Sequence, residues 1–169
     1  SPSVISTQVP EVAVPPVSVT NDGILRRAVV FGLDHVDPNA YNGWDGECPG
    51  TILDALRMRA LLIARGYTVV LLTNEQATAY RLTAACVEAT KDMKAGDRFI
   101  IYGSSHGGQA PDLDGDEGPG GKDSTLCAWD GQIVDDNVVR ILMRIPAGVW
   151  VAMILDCCNT GSMYKGRPP

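Results

Sequence analysis

The sequence predicts an α/β fold, with a mostly parallel sheet covered by helices on both faces. Short apolar runs rich in β-branched residues recur at 28–33, 67–72, from 98 onward, and from 149 to an abrupt stop at Asp156. Helix-patterned segments at 51–65, 75–93 and 134–145 separate them. Strands alternating with helices make crossover connections, which favour a parallel sheet with helices on its faces. In such sheets the ligand crevice lies just past the carboxyl ends of the strands. There the chain places His106 after the third run, and Cys157 and Cys158 after the fourth.

The bulk properties narrow the function. A chain of 169 residues fits one domain with a real core. A formal charge of -6 argues against a nucleic-acid surface and is compatible with a basic substrate. No apolar run reaches the roughly 18 residues of a membrane span, and the first residues lack the pattern of a secretory signal. No membrane partner is expected, and a cytoplasmic location is. The chain begins at Ser1 rather than Met, which leaves room for a removed upstream segment. Its five cysteines, Cys48, Cys86, Cys127, Cys157 and Cys158, are odd in number and contain no CxxC pair. That spacing speaks against a disulfide framework or a zinc ribbon and for a reducing compartment.

In chain order, residues 1–24 are rich in Pro, Val and Ser and read as an extended arm or linker, leaving 25–169 as the folded domain. The first strand, AVVFGL at 28–33, runs into a loop at 34–50 full of Gly, Pro, Asn and Asp. Loops that long inside a domain are functional or disordered. His35 in it reads as a surface residue. The helix at 51–65 has an expected apolar stripe of Leu53, Leu56, Ala60 and Ile63, and Gly66 ends it. The helix at 75–93 holds Cys86 in its Ala-rich middle, as a buried structural thiol. After His106 come a flexible acidic loop at 110–123, a short segment at 125–130, and the helix at 134–145 opened by Asp135 and Asp136. A sheet that stops at the cysteine-bearing strand leaves that strand's far side open, so the chain reads as incomplete by itself.

Two strand ends that present a cysteine and a histidine supply the minimum for thiolate catalysis. The stretches YGSSHGGQ (102–109), DLDGDE (112–117) and DCCNTG (156–161) occur in that order. Together they resemble the caspase-like cysteine peptidases, in particular the metacaspase and bacterial orthocaspase branch. The turn Ser104-Ser105-His106-Gly107 matches that family's Ser-x-His-Gly turn, and Asp156-Cys157-Cys158-Asn159-Thr160-Gly161 its Asp-x-Cys-His-Ser-Gly turn. Fifty-two residues separate His106 from Cys158, close to the roughly 50 of caspases. The phrase DALRM, beginning at Asp54, resembles the family's Asn-Asp-Ala segment.

The resemblance implies a three-layer α/β/α caspase-like (caspase–hemoglobinase) fold that lacks its C-terminal small-subunit strands in this chain. It implies a Cys158 nucleophile, a His106 general base, and an oxyanion hole from the backbone N–H groups of Gly107 and Cys158. Cys157 then reads as a core thiol on the strand's other face. The resemblance also implies cleavage after Arg or Lys, with Asp156, Asp54 and Ser104 in the primary pocket. A carboxylate pair is what bidentate binding of a guanidinium requires. Two structural alternatives stay open: Thr51 and Asp54 also form a capping-box pattern, and Asp156 could serve backbone donors at a strand end.

Asn159 and Thr160 stand where the family has His and Ser, Thr51 stands where it has a pocket cysteine, and Cys48 lies outside that position. Many members use calcium as an activator, and Asp135 and Asp136 match part of that site. Lys165 replaces an acidic residue of it. Asp112, Asp114 and Asp116 resemble an EF-hand opening, but Gly115 is misplaced for that loop. The chemistry itself requires no cofactor. The partners implied are a peptide or protein with Arg or Lys at the cut and a small-subunit portion of the same precursor. The rival readings are a non-catalytic caspase-homologue scaffold and a peptidase that cuts after Asp.

Overall fold

The computed structural model describes residues 22–111 and 122–157. Most of the arm, Asp112, Asp114 and Asp116, and Cys158 with all that follows it lie outside the described residues. The described elements are β1 (Arg26–Gly32), α1 (Thr51–Ala64), β2 (Thr68–Thr73), α2 (Ala79–Thr90), β3 (Arg98–Ser104), β4 (Gly107–Pro111), β5 (Lys122–Ala128), β6 (Gly131–Val134), α3 (Asp135–Leu142) and β7 (Trp150–Asp156).

The four apolar runs form one sheet in the order β2-β1-β3-β7, with every neighbouring pair parallel. Side-chain alternation along the central strands divides the core in two. Ala28, Val30, Ile100 and Tyr102 face α1 and meet Ala55 and Leu62. Val29, Phe31, Phe99 and Ile101 face the other way and meet Leu82 and Cys86 of α2 and Val138 of α3. The result is the expected three-layer α/β/α arrangement, and β7 pairs only with β3 among the described residues.

Local sequence sets several element ends. Gly66, at φ +80°, follows α1, and the bonds Gly66 N–H to Ile63 O (2.9 Å) and Tyr67 N–H to Leu62 O (3.0 Å) complete a Schellman motif. The expected helix at 75–93 begins later. Asn74–Gln76 form a 3₁₀ turn, and Thr78 opens α2 by accepting from Arg81 N–H at 3.1 Å.

The stripe expected on α1 is rotated. Thr51, Ala55, Ala60 and Leu62 are buried, whereas Leu53, Leu56 and Ile63 are half-buried. The cause is close helix–sheet contact, since a Cβ on Gly32 would lie 2.6 Å from Thr51 O and 2.9 Å from the Ala55 Cβ. Small residues must turn inward there, and the bulkier leucines move to the flanks.

The region between β3 and α3 departs most from expectation. On either side of the expected acidic loop, whose residues 112–121 lie outside the described residues, β4, β5 and β6 form an antiparallel sheet, in which Leu126 and Ile133 join the core on the α2–α3 face. His35 is exposed, as expected.

Asp97 joins the start of the sheet together. Its carboxylate, 2% exposed, accepts from Leu25 N–H at 2.9 Å and Lys94 N–H at 2.8 Å, and its own carbonyl accepts from Trp150 N–H at 2.8 Å. The hydrogen bonds from Lys94 and then Leu25 hold this carboxyl below its ordinary range. A depressed acid stabilises the fold above its unfolded value near 3.9 and loses that effect as pH falls through the folded one. Asp97→Ala should therefore lower Tm by several degrees at pH 7, with the gap to wild type closing at pH 3 and below. Thermal unfolding of both proteins across that range checks it.

Candidate active site

The ends of β3 and β7 lie side by side. Ser104 pairs in register with Asp156 on one side and Gly32 on the other, and Ser105 N–H donates to Asp156 O at 3.4 Å. Ser105 is fixed further by its hydroxyl, which donates to Cys127 O at 2.8 Å, and Cys127 N–H returns a bond to His106 O at 2.9 Å. The small antiparallel sheet thus anchors the turn that carries His106. Gly107, next in sequence, opens β4.

The half-buried His106 ring meets the long loop at 34–50. Its Nε2 lies 3.1 Å from Gly46 O, and its ring centroid lies 4.8 Å from that of Trp44, tilted by 58°. A carbonyl only accepts, so Nε2 carries the proton in this contact and Nδ1 is left as the basic nitrogen.

The loop is folded to make that contact. Val36 N–H donates to Asp45 O and Cys48 N–H to Asp34 O, both at 2.8 Å, and the Tyr41 hydroxyl donates to Ala128 O at 2.7 Å. Gly46 sits at φ +60°, and a Cβ there would lie 2.8 Å from Val36 Cγ2. Glycine is needed at that point for both conformation and space. Trp44 and Gly46 escaped the sequence reading, although the Gly-Trp-Asp-Gly run at 43–46 marked a tight turn.

On the α1 face Ser104 shares a rung with Asp156, and Tyr102, a residue not singled out, shares the rung two residues deeper with Ile154. Burial first, then the charges of Asp156 and Asp54, push the Tyr102 hydroxyl above its ordinary range, while a hydrogen bond with Ser104 acts against them. Ser104 is 3% exposed and Asp156 is exposed, and the Asp54 side chain is 42% exposed with an Arg57 contact at 3.5 Å. Two-residue strand periodicity was the signal for Tyr102, since it precedes Ser104 by two positions.

The capping-box alternative for Asp54 is corrected. Gly50 occupies the N-cap, and the Thr51 hydroxyl donates instead to Asp34 Oδ1 at 2.8 Å, which also accepts from Ile52 N–H at 3.2 Å. Asp34, at the end of β1, satisfies the helix terminus from outside, because the helix starts hard against the sheet.

Asp135 and Asp136 occupy the first turn of α3, where Asp135 Oδ1 accepts from Asp136 N–H at 3.0 Å. Calcium takes six to eight oxygens. Among the described residues no group of three or more His, Cys, Asp or Glu is set to hold a metal, so these two aspartates do not form a metal site by themselves. Cys157 packs half-buried against the core on the α2–α3 face, as expected. Burial pushes the Cys86 thiol up to about 12, so it is no nucleophile at neutral pH. Cys158 lies outside the described residues.

Among the described residues no helix is long and apolar enough to cross a membrane. A model of the metacaspase, peptidase C14 domain matches residues 26–166. The chain is similar to metacaspase-1 of Coccidioides immitis, at 35% identity over 152 residues covering 81% of this chain and 31% of the relative. It is similar to metacaspase-3 of Arabidopsis thaliana at 31% identity over 153 residues, 82% of this chain and 40% of the relative. A crystal structure of a Geobacter sulfurreducens protein superposes with a TM-score of 0.73 at 38% identity, covering 79% of this chain and 50% of that one. The chain therefore spans less than half the length of either curated relative.

Proposed function

The chain belongs to the metacaspase family of caspase-like cysteine peptidases, and from that premise we propose that it is a cysteine endopeptidase that cleaves after Arg or Lys. The observation that carries the reading is His106, held by the Gly46 carbonyl on Nε2 and only two residues beyond the rung that pairs Ser104 with Asp156. In sequence, Cys158 follows Asp156 of the same rung by two residues.

In the proposed reaction the Cys158 thiolate adds to the scissile carbonyl carbon, and the backbone N–H groups of Gly107 and Cys158 take the charge on oxygen. The C–N bond then breaks, with the imidazolium of His106 protonating the leaving amine. Water, deprotonated by the same imidazole, releases the acid from the thioester. Asp156, Asp54 and Ser104 receive the basic side chain, with two carboxylates opposite one cation.

The reading includes three further parts. A small-subunit portion of the same precursor would extend the sheet beyond β7, where Trp150 and Ile154 are 54% and 44% exposed. Calcium would act as an activator through Asp135 and Asp136 together with ligands from elsewhere, and takes no step in the chemistry. A reducing cytoplasm would suit the buried thiols Cys86 and Cys127.

The test is hydrolysis of matched peptide reporters ending in Arg, Lys or Asp, with added calcium and with chelator. Asp156→Ala and Asp54→Ala should each lower kcat/KM on Arg and Lys reporters by about tenfold or more, because each leaves the bound cation without one of its two carboxylates. Cleavage after Asp alone would overturn the pocket assignment. A folded protein silent on every reporter would favour the scaffold.

A further inference from the structure

We propose that Trp44 is a positioning residue for His106: its indole, together with the Gly46 carbonyl, keeps the imidazole in one orientation through turnover. The inference rests on the reading of His106 as the general base of a cysteine peptidase.

A hydrogen bond to one nitrogen does not by itself fix an imidazole. With Nε2 held 3.1 Å from Gly46 O, the ring can still swing about that bond, and Nδ1 swings with it. The Trp44 ring restricts this motion, since its centroid lies 4.8 Å from that of the imidazole at a tilt of 58°. That is the separation of a packed aromatic pair. The same indole folds back over Gly46, where an added Cβ would lie 3.3 Å from Trp44 Cη2. Ring contact and carbonyl acceptor thus reach His106 from one turn, two residues apart.

Trp44 is itself held from behind. The Tyr41 ring meets it edge-on, with centroids 5.8 Å apart and planes at 71°, and Trp44 N–H donates to Tyr41 O at 3.1 Å. The Tyr41 hydroxyl donates to Ala128 O at 2.7 Å. Next to Ala128, Cys127 N–H donates to His106 O at 2.9 Å. These contacts close a circuit from the His106 backbone through β5 and Tyr41 to Trp44, and back onto the His106 side chain. Trp44 is nevertheless 45% exposed, so it contributes less apolar burial than a core tryptophan. Its removal should cost geometry at His106 more than it costs stability.

A misplacement of about 1 Å in a reacting group can cost about 10²-fold in rate. In the full chain, Trp44→Ala should lower kcat by about 10- to 100-fold on whichever reporter the wild type cleaves, with KM within about twofold. Trp44→Phe retains a flat ring and should keep kcat within about fivefold of wild type. Trp44→Leu, apolar bulk without a ring, should fall with Trp44→Ala and replaces it if the alanine variant does not fold. The ratio of rates on Arg and Lys reporters should not move, because a positioning residue acts on the step common to both. Thermal unfolding establishes which variants are folded. Unchanged kcat in the folded alanine or leucine variant, a loss confined to KM, or a phenylalanine variant as slow as alanine overturns the role of Trp44 and leaves the peptidase reading standing. Failure of both alanine and leucine variants to fold makes Trp44 structural and overturns the role equally. A wild type silent on every reporter overturns both readings.

Discussion

His106→Ala should reduce kcat/KM on an Arg reporter by roughly 10²–10⁴-fold, the span a positioned acid–base group contributes. Cys158→Ala should cost at least as much, and the double variant little more than Cys158→Ala alone. Groups that act as one unit lose their effect together, so their penalties do not multiply. The geometry behind this expectation is the hydrogen bond from His106 Nε2 to Gly46 O. It leaves only Nδ1 to exchange a proton with the thiol and the leaving amine. His106→Gln would retain a donor toward Gly46 without the exchangeable proton, and should be as inactive as the alanine variant. Steady-state rates on folded proteins decide the matter: activity within tenfold of wild type in His106→Ala would sink the dyad.

Gly32→Ala should destabilise the fold and disturb the candidate pocket together. Its Cβ would meet Thr51 O at 2.6 Å and the Ala55 Cβ at 2.9 Å, and a backbone carbonyl cannot rotate away. The first turn of α1 must lift off β1, at a cost of about 1–3 kcal/mol for an overpacked core. Asp54 rides on that turn, so discrimination between basic and neutral reporters should weaken as well. Gly103→Ala supplies the control. Its Cβ would fall 2.0 Å from Phe31 Cζ, on the α2–α3 side of the sheet. It should destabilise comparably and lower all rates in proportion, without changing the order of preference among reporters. Denaturant unfolding together with the three-reporter assay tests both variants. Equal loss of preference in the two would mean that the α1 contact is not what positions Asp54.

Several features were legible from the chain because they depend on local chemistry. The apolar runs identified all four strands of the main sheet, since strands covered on both faces need apolar residues throughout. Gly66 marked the end of α1, because a left-handed residue at that point is cheapest as glycine. The α2 boundary was misjudged because Ala-rich sequence carries helix propensity past the true start, and only the Thr78 cap decides it. The hairpin sheet was missed for a different reason. Its first strand, Gly107–Pro111, contains two glycines and a proline and shows no alternation; it is a strand because β5 pairs with it.

For the site, motif and order along the chain supplied the candidates for the chemistry: His106 after one strand, Asp156 at the end of another with Cys158 two residues on in sequence, and Asp54 in the first turn of a helix. These identities are written into short stretches and need no neighbours to be read. What the tertiary structure alone decided is who stands beside them. The Ser104–Asp156 rung, the Gly46 carbonyl and Trp44 ring on His106, and Asp34 capping α1 from just past β1 all join residues distant in sequence. Register, close packing at Gly32 and the path of a long loop arise only when the sheet has assembled, because each depends on the space that other segments leave.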